Sequence, residues 1–474
     1  MSTAVVVGSG PNGLAAAALL AREGVQVTVL EAADVVGGGT RTSESIVPGL
    51  LQDECSAVHM MAVGSPALAE LDLAGHGLRW CVPEIDLVHP LDGGDAAVLH
   101  RSVEATADGL GADGKRWRLL FERNSATFDD WGSDIMGPLL RLPKHPLGLT
   151  RFGLPTVVPA TLLARVFATE QARALWAGTA AHALQPLNRP LTSAIGLGLF
   201  TAGHRHGWVV AEGGSRSIAD AMVQVLTDHG GKIETGVRIT SAEQLPAADV
   251  TLLDLAPRAV VEILGDRLPT RVAKGLSRFR HGPAVFKVDF AVQDGVPWTH
   301  PAARKAGTLH LSGSFAEVVA NERETSAGRM PERPFVLVGQ QYLADPKRSA
   351  GDIHPVYSYA HVPHGYTGDA TEAIIDQFER FAPGFRERIV GTSVRSTEQM
   401  AAHNPNYVGG DIVTGAKNLR QLVFGPRTTF SPYGLGVPGT YVCSAATPPG
   451  PGAHGMCGAN AADRALRYLR RHST

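Results

Sequence analysis

The stretch Ala4-Val5-Val6-Val7-Gly8-Ser9-Gly10-Pro11-Asn12-Gly13-Leu14-Ala15-Ala16-Ala17-Ala18-Leu19-Leu20 decides the fold. A short apolar run reads as a buried strand, G-x-G-x-x-G as a tight turn, and the small apolar residues after it as a helix. The helix stops near Gly24, and Val25-Gln26-Val27-Thr28-Val29-Leu30 is a second strand ending on Glu31. Strand, turn, helix and strand are complete in about thirty residues, the span of a dinucleotide-binding unit. Gly8 allows the turn, Gly10 lets backbone approach a pyrophosphate, and Gly13 lets helix and strand pack closely. Pro11 and Asn12 open the helix, whose free N–H groups and positive dipole end suit phosphates. Glu31 is placed to accept hydrogen bonds from ribose hydroxyls, and its charge disfavours a 2′-phosphate, which argues against NADP.

The bare pattern proves little. With 54 glycines in 474 residues, chance alone gives roughly one such motif. Gly109-Leu110-Gly111-Ala112-Asp113-Gly114 is flanked by polar residues and reads as a loop, and Gly434-Leu435-Gly436-Val437-Pro438-Gly439 precedes a strand instead of following one. Gly450-Pro451-Gly452-Ala453-His454-Gly455 does lie between a strand and a helix, but no ribose-binding acid follows it.

Hydrophobic residues make up 44% of the chain and charged ones 19%, with a net charge of −2, so no global field recruits nucleic acid or anionic lipid. No basic leader and no uninterrupted span-length apolar run is present, and a cytoplasmic protein with reduced thiols is expected. Cys55, Cys81, Cys443 and Cys457 form no C-x-x-C and no metal-ligand spacing, so neither a dithiol flavoenzyme nor a metal site is expected. No second strand-flanked glycine motif for NAD(P)H occurs mid-chain.

Directly after Glu31 come Ala32-Ala33-Asp34-Val35-Val36-Gly37-Gly38-Gly39-Thr40-Arg41. A glycine cluster followed by arginine at this place resembles the extended motif of the FAD-binding amine oxidase and phytoene desaturase superfamily. The resemblance implies non-covalent FAD, with Gly38, Gly39 and Thr40 along its middle and Arg41 as a cation near the phosphates. It also gives the last glycine motif a role. Gly439 to Thr447 reads as a strand, Pro448 to Gly455 as a tight loop, and Met456 to Arg471 as a helix. In the superfamily such a return completes the flavin site, which implicates Thr447, Gly450, Gly452, Gly455 and Met456, the helix dipole favouring charge on the reduced ring. A mid-chain helix over Ile218–Leu226 leads to a strand, Lys232 to Ile239, whose backbone at Val237 would pass the adenine.

Further agreement is spread over the second half. Lys287-Val288-Asp289-Phe290-Ala291, Asp345-Pro346-Lys347-Arg348, Tyr359-Ala360-His361-Val362-Pro363 and Asn404-Pro405-Asn406-Tyr407 resemble one branch of the phytoene dehydrogenase-like flavoproteins. That branch includes the pyridine nucleotide-disulfide oxidoreductase domain-containing proteins. The fold implied is α/β, with a discontinuous Rossmann-like FAD domain and an α+β substrate domain built on a mainly antiparallel sheet. The FAD domain would comprise residues 1–70, 207–265 and 405–474; the substrate domain, 71–206 and 266–404.

Residues 135–167 form an apolar stretch broken by prolines and dotted with Arg and Lys. It reads either as a lid or membrane-docking segment or, more plainly, as helices packed on the core or at a subunit contact. The plainer reading is preferred at this level.

Flavin chemistry needs positioning more than acid–base groups, and no triad is read here. Tyr433, His454 and His59 are the weak candidates to shape the pocket, against the alternative that all three are packed structural side chains. The expected activity is hydride removal from a C–H or C–N bond of a small, apolar organic substrate, with oxygen or a quinone as electron acceptor. No paired aromatic cage is identified, which weighs against monoamine oxidase-type chemistry. A non-redox flavin-dependent isomerase and an FAD-containing binding or assembly protein are the alternatives.

Overall fold

The computed structural model describes residues 1–139 and 141–472; Leu140, inside the proline-broken stretch, and residues 473–474 lie outside the described residues. The two main sheets use strands β1 (Thr3–Val7), β2 (Gln26–Leu30), β3 (Ile85–Pro90), β4 (Ala96–Leu99), β5 (Lys232–Glu234) and β6 (Val250–Leu253), then β7 (Ala284–Gln293), β8 (Ala306–Leu311), β9 (Val336–Gly339), β10 (Ile353–Val362), β11 (Ile389–Arg395) and β12 (Thr440–Val442).

The first sheet is parallel, in the order β12-β6-β1-β2-β5. Val6 in the middle of β1 faces Val29 on one side and Leu252 on the other. A parallel strand is buried on both faces, which is why β1 is apolar without alternation. The helix Pro11–Arg22 starts with proline in its first turn, and every residue from Asn12 to Ala21 is buried. The C-terminal helix, Met456–His472, and the helix Arg216–Asp228 both pack on it. A helix covered this completely has to be apolar all round. Gly458 of the terminal helix permits the close approach: a Cβ there would fall 1.9 Å from the Asn12 carbonyl oxygen.

The strand expected to run to Ile239 ends at Glu234. Gly236, at φ +71°, turns the chain, and Val237 leaves the sheet to donate its N–H to the Glu31 carbonyl at 2.8 Å.

The second sheet runs β11-β7-β10-β9-β8-β3-β4, antiparallel except between β8 and β3. Along β7 the alternation separates two faces. Phe286, Val288 and Phe290 pack with Ile374 and Phe378 of the helix Thr371–Phe381. Val285 joins the opposite core, built around Trp117, Trp131 and Trp176 from helices before residue 207. Lys287 and Asp289 share that second face with Val285, and it is the face turned toward the dinucleotide fold.

The proline-broken stretch resolves into the helices Pro146–Thr156 and Ala160–Leu163. Among the described residues no single helix is long and apolar enough to cross a membrane. All four cysteines are unpaired.

Candidate active site

Local sequence builds the first wall of the site. Gly8 sits at φ +98°, a conformation that favours glycine. A Cβ on Gly10 would lie 2.6 Å from Asp254 Oδ2, and one on Gly13 would lie 2.1 Å from the Gly8 carbonyl oxygen. Asp254 follows β6 and reaches under the loop, accepting the Gly13 N–H at 3.0 Å. Burial, with the Glu31 charge adding to it against the Gly13 N–H, pushes the Asp254 carboxyl up to about 7. The first helix has no side-chain cap at its N-terminus, and Asn12 Oδ1 is buried without a hydrogen-bond partner.

Glu31 stands at the end of β2 and braces the loop. Its Oε2 accepts from the Ser9 N–H at 2.8 Å and the Ser9 hydroxyl at 2.5 Å, while Oε1 accepts the Ala33 N–H at 2.8 Å. A carboxylate has about four acceptor sites, so three internal donors leave room for a ribose hydroxyl.

The second glycine cluster touches the first through backbone. The Gly37 N–H donates to the Ser9 carbonyl at 3.0 Å, and a Cβ on Gly38 would lie 3.0 Å from Gly10 Cα. Thr40 is buried and donates its hydroxyl to the Gly37 carbonyl at 2.8 Å. Arg41 is fixed by the carbonyls of Val35 and His403 at 3.1 Å each, with a guanidinium nitrogen 3.6 Å from Glu31 Oε1. A Cβ on Gly39 would collide with the Tyr407 hydroxyl.

The C-terminal loop closes against the same helix end. A Cβ on Gly455 would lie 2.8 Å from Ala15 Cβ, so the start of the terminal helix lies beside the start of the first. The Cys457 thiol donates to the carbonyls of Thr447 and Gly450, both at 3.3 Å. Gly452 packs against the His454 ring. Inside this loop, His454 Nδ1 accepts the Met456 N–H at 3.1 Å, and burial pulls the imidazole down to about 4. Tyr433 donates its hydroxyl to the Pro448 carbonyl at 2.8 Å. His59 lies 2.8 Å from the Ser215 hydroxyl, and burial pulls it to about 4 as well. Each of these three rings holds a loop or a strand end in place.

The tertiary structure adds residues that the motifs left unassigned. Tyr407 contacts the Cys55 thiol, and the Tyr357 hydroxyl donates to the Cys55 carbonyl at 2.5 Å. Lys287 Nζ stands 4.0 Å from the centre of the Tyr357 ring and pairs with Asp289, two residues along the same face of β7. Burial lowers the Lys287 ammonium and raises the Asp289 carboxyl, each against the opposing charge of its partner. From Gly39 through Tyr407, Cys55 and Tyr357 to Lys287, the contacts are continuous from the cradle to the second sheet. The signal in the sequence was two charges spaced by two within an otherwise apolar strand.

A second buried network ties the connection between β9 and β10 to Asp53 and to the chain at Ala211. Arg348 reaches Asp53 at 2.5 Å, Asp345 at 3.3 Å and the Ala211 carbonyl at 2.6 Å. Asp53 also accepts the Ser215 N–H at 2.7 Å. Burial opposes ionisation of Asp53, but the Arg348 charge and that N–H outweigh it and hold the carboxyl below its ordinary range.

These residues fit a long dinucleotide. Two glycine loops meet backbone to backbone, one helix end is uncapped, a buried amide oxygen lacks a partner, and a carboxylate marks the ribose position. The model of the NAD(P)-binding Rossmann-like domain matches residues 6–71. The chain is 25% identical to the pyridine nucleotide-disulfide oxidoreductase domain-containing protein 2 of Rattus norvegicus, covering 98% of this chain and 94% of that one. It is also 25% identical to the hydroxyneurosporene desaturase of Cereibacter sphaeroides, over 74% of this chain and 72% of that one. The solved structure of a putrescine oxidase bound to putrescine shares the fold, with a TM-score of 0.62 and 17% identity over 99% of both chains. In sequence the chain is similar to phytoene desaturase-like flavoproteins and in fold to amine oxidases, and its cradle fits non-covalently bound FAD.

Proposed function

We propose that this chain is an FAD-dependent oxidoreductase that removes hydride from a C–H or C–N bond of a small, apolar organic substrate. The observation that carries the reading is the unbroken run of contacts from Gly39 through Tyr407 and Cys55 to Tyr357 and Lys287. It supports a reaction chamber between the glycine cradle and the inner face of the second sheet. Bound FAD supplies the two-electron acceptor. The buried rings of Tyr357, Tyr359 and Tyr407 exclude water and offer flat apolar surface to a substrate. Lys287 Nζ and Asp289 set a buried, paired acid and base on that wall. Oxygen or a quinone is the onward electron acceptor in this reading.

The test is anaerobic mixing of the holoprotein with aliphatic amines and with apolar polyenes, followed in the visible flavin band. Bleaching by members of either set supports the reading. A flavin that dithionite reduces but none of these donors bleaches overturns it, and leaves the isomerase or the structural role of FAD.

A further inference from the structure

The segment between the helix Phe128–Ile135 and the helix Glu170–Ala180 concentrates exposed apolar surface. Seven of the fifteen large apolar side chains exposed among the described residues fall between 139 and 166. Leu142 is 94% exposed, Leu147 87% and Leu154 70%. Leu147 and Leu154 are seven residues apart on the helix Pro146–Thr156 and so share a face, while Phe152 points inward against Trp131. That helix and the next, over Ala160–Val166, meet at 91°. At about 1.5 Å per residue neither leg approaches the roughly 30 Å of a bilayer core. The shape suits lying in an interface, not crossing one.

Charge selects the partner. From Ile135 to Thr169 the sequence has no Asp or Glu, and it carries Arg141, Lys144, Arg151 and Arg165 together with His145. Arg141, Lys144 and Arg165 are exposed. The nearest acid before the segment, Asp134, is buried, and its two oxygens accept the N–H groups of Lys144 and His145 at 2.9 and 2.8 Å. The net charge of −2 over the whole chain conceals this local excess. The surface also adjoins the candidate active site: Asn460, in the terminal helix, donates its side-chain amide to the Met136 carbonyl at 3.1 Å.

We infer that residues 141–166 dock the protein on an anionic lipid bilayer, with Leu142, Leu147 and Leu154 in the acyl boundary and the basic side chains among the headgroups. An apolar substrate dissolved in that bilayer then lies next to the segment that touches the flavin-loop helix.

The holoprotein is floated with vesicles of phosphatidylcholine, with and without phosphatidylglycerol. Flotation is expected only with phosphatidylglycerol, weakening as salt is raised. The combined variant Leu142→Asp, Leu147→Asp, Leu154→Asp is expected to lower partition at least about tenfold while keeping its FAD spectrum. Leu119→Asp, an equally exposed leucine on another helix, is expected to change nothing. If the triple variant loses FAD, the exposed pair Lys144→Glu, Arg165→Glu tests the same surface and is expected to abolish the preference for phosphatidylglycerol. Wild-type protein that stays down with phosphatidylglycerol at low salt overturns the proposal. So does a dimer that the leucine variant dissolves in the absence of any vesicle binding, which would make the partner a second copy.

Discussion

Asp254 lies under the glycine loop, where phosphate charge is to be carried, and its protonation there is a matter of energy. With its folded value at about 7 and an unfolded value near about 4, the folded state binds the extra proton between them. Stability contributed by this group is therefore full below about pH 4, falls as pH rises toward about 7, and is level above that. Asp254→Asn keeps an acceptor for the Gly13 N–H and removes the titration. Compared with wild type by denaturant unfolding of the apoprotein, the variant is expected to gain stability as pH rises from about 4 to about 7 and to keep a constant difference above that. An equal difference at every pH would refute it. Lys287 is the residue to which the proposed reaction gives a task. Lys287→Met strands a buried carboxylate, so the informative protein is Lys287→Met combined with Asp289→Leu. It is expected to retain FAD and lose turnover at least about tenfold; unchanged kcat would remove the pair from the chemistry.

At the scale of elements, the short segment Asp345 to Arg348, between β9 and β10 of the second sheet, is fastened to Asp53 and to the chain at Ala211. A buried arginine with two carboxylates is strongly destabilising to break, since the partners are left charged and dry. Arg348→Met is expected to cost about 3–5 kcal/mol, read as a lower denaturation midpoint at unchanged slope. A cost below about 1 kcal/mol would mean that water reaches the network. The two glycine loops behave as one element, because they touch through backbone. Gly10→Ala puts a methyl carbon 2.6 Å from Asp254 Oδ2, and FAD affinity is expected to fall at least about tenfold by fluorescence titration. The loops, the first helix and the terminal return were legible in the sequence, since glycine spacing and apolar periodicity are local. The end of β5 was not, because Val237 leaves the sheet for a hydrogen bond to Glu31, 206 residues earlier in the chain.

For the whole molecule, the parallel sheet takes strands from residues 3–30, 232–253 and 440–442, so the cradle exists only when distant segments have met. FAD then stabilises the assembled state alone. At free FAD about a hundredfold above its Kd, the gain is about 2.7 kcal/mol, visible as a higher Tm than that of the apoprotein. A Tm unaffected by added FAD would place the cofactor elsewhere.

What the sequence determined by itself is the dinucleotide site and the cofactor's length: G-x-G-x-x-G, Glu31 and Gly37 to Arg41 act through backbone geometry and neighbours within about thirty residues. The tertiary structure decided what stands opposite. Asp254 beneath Gly10, Tyr407 against Gly39, and Lys287 over Tyr357 are meetings of residues far apart in the chain. No periodicity encodes such meetings. They follow from how distant segments pack around buried charge, which no local pattern carries.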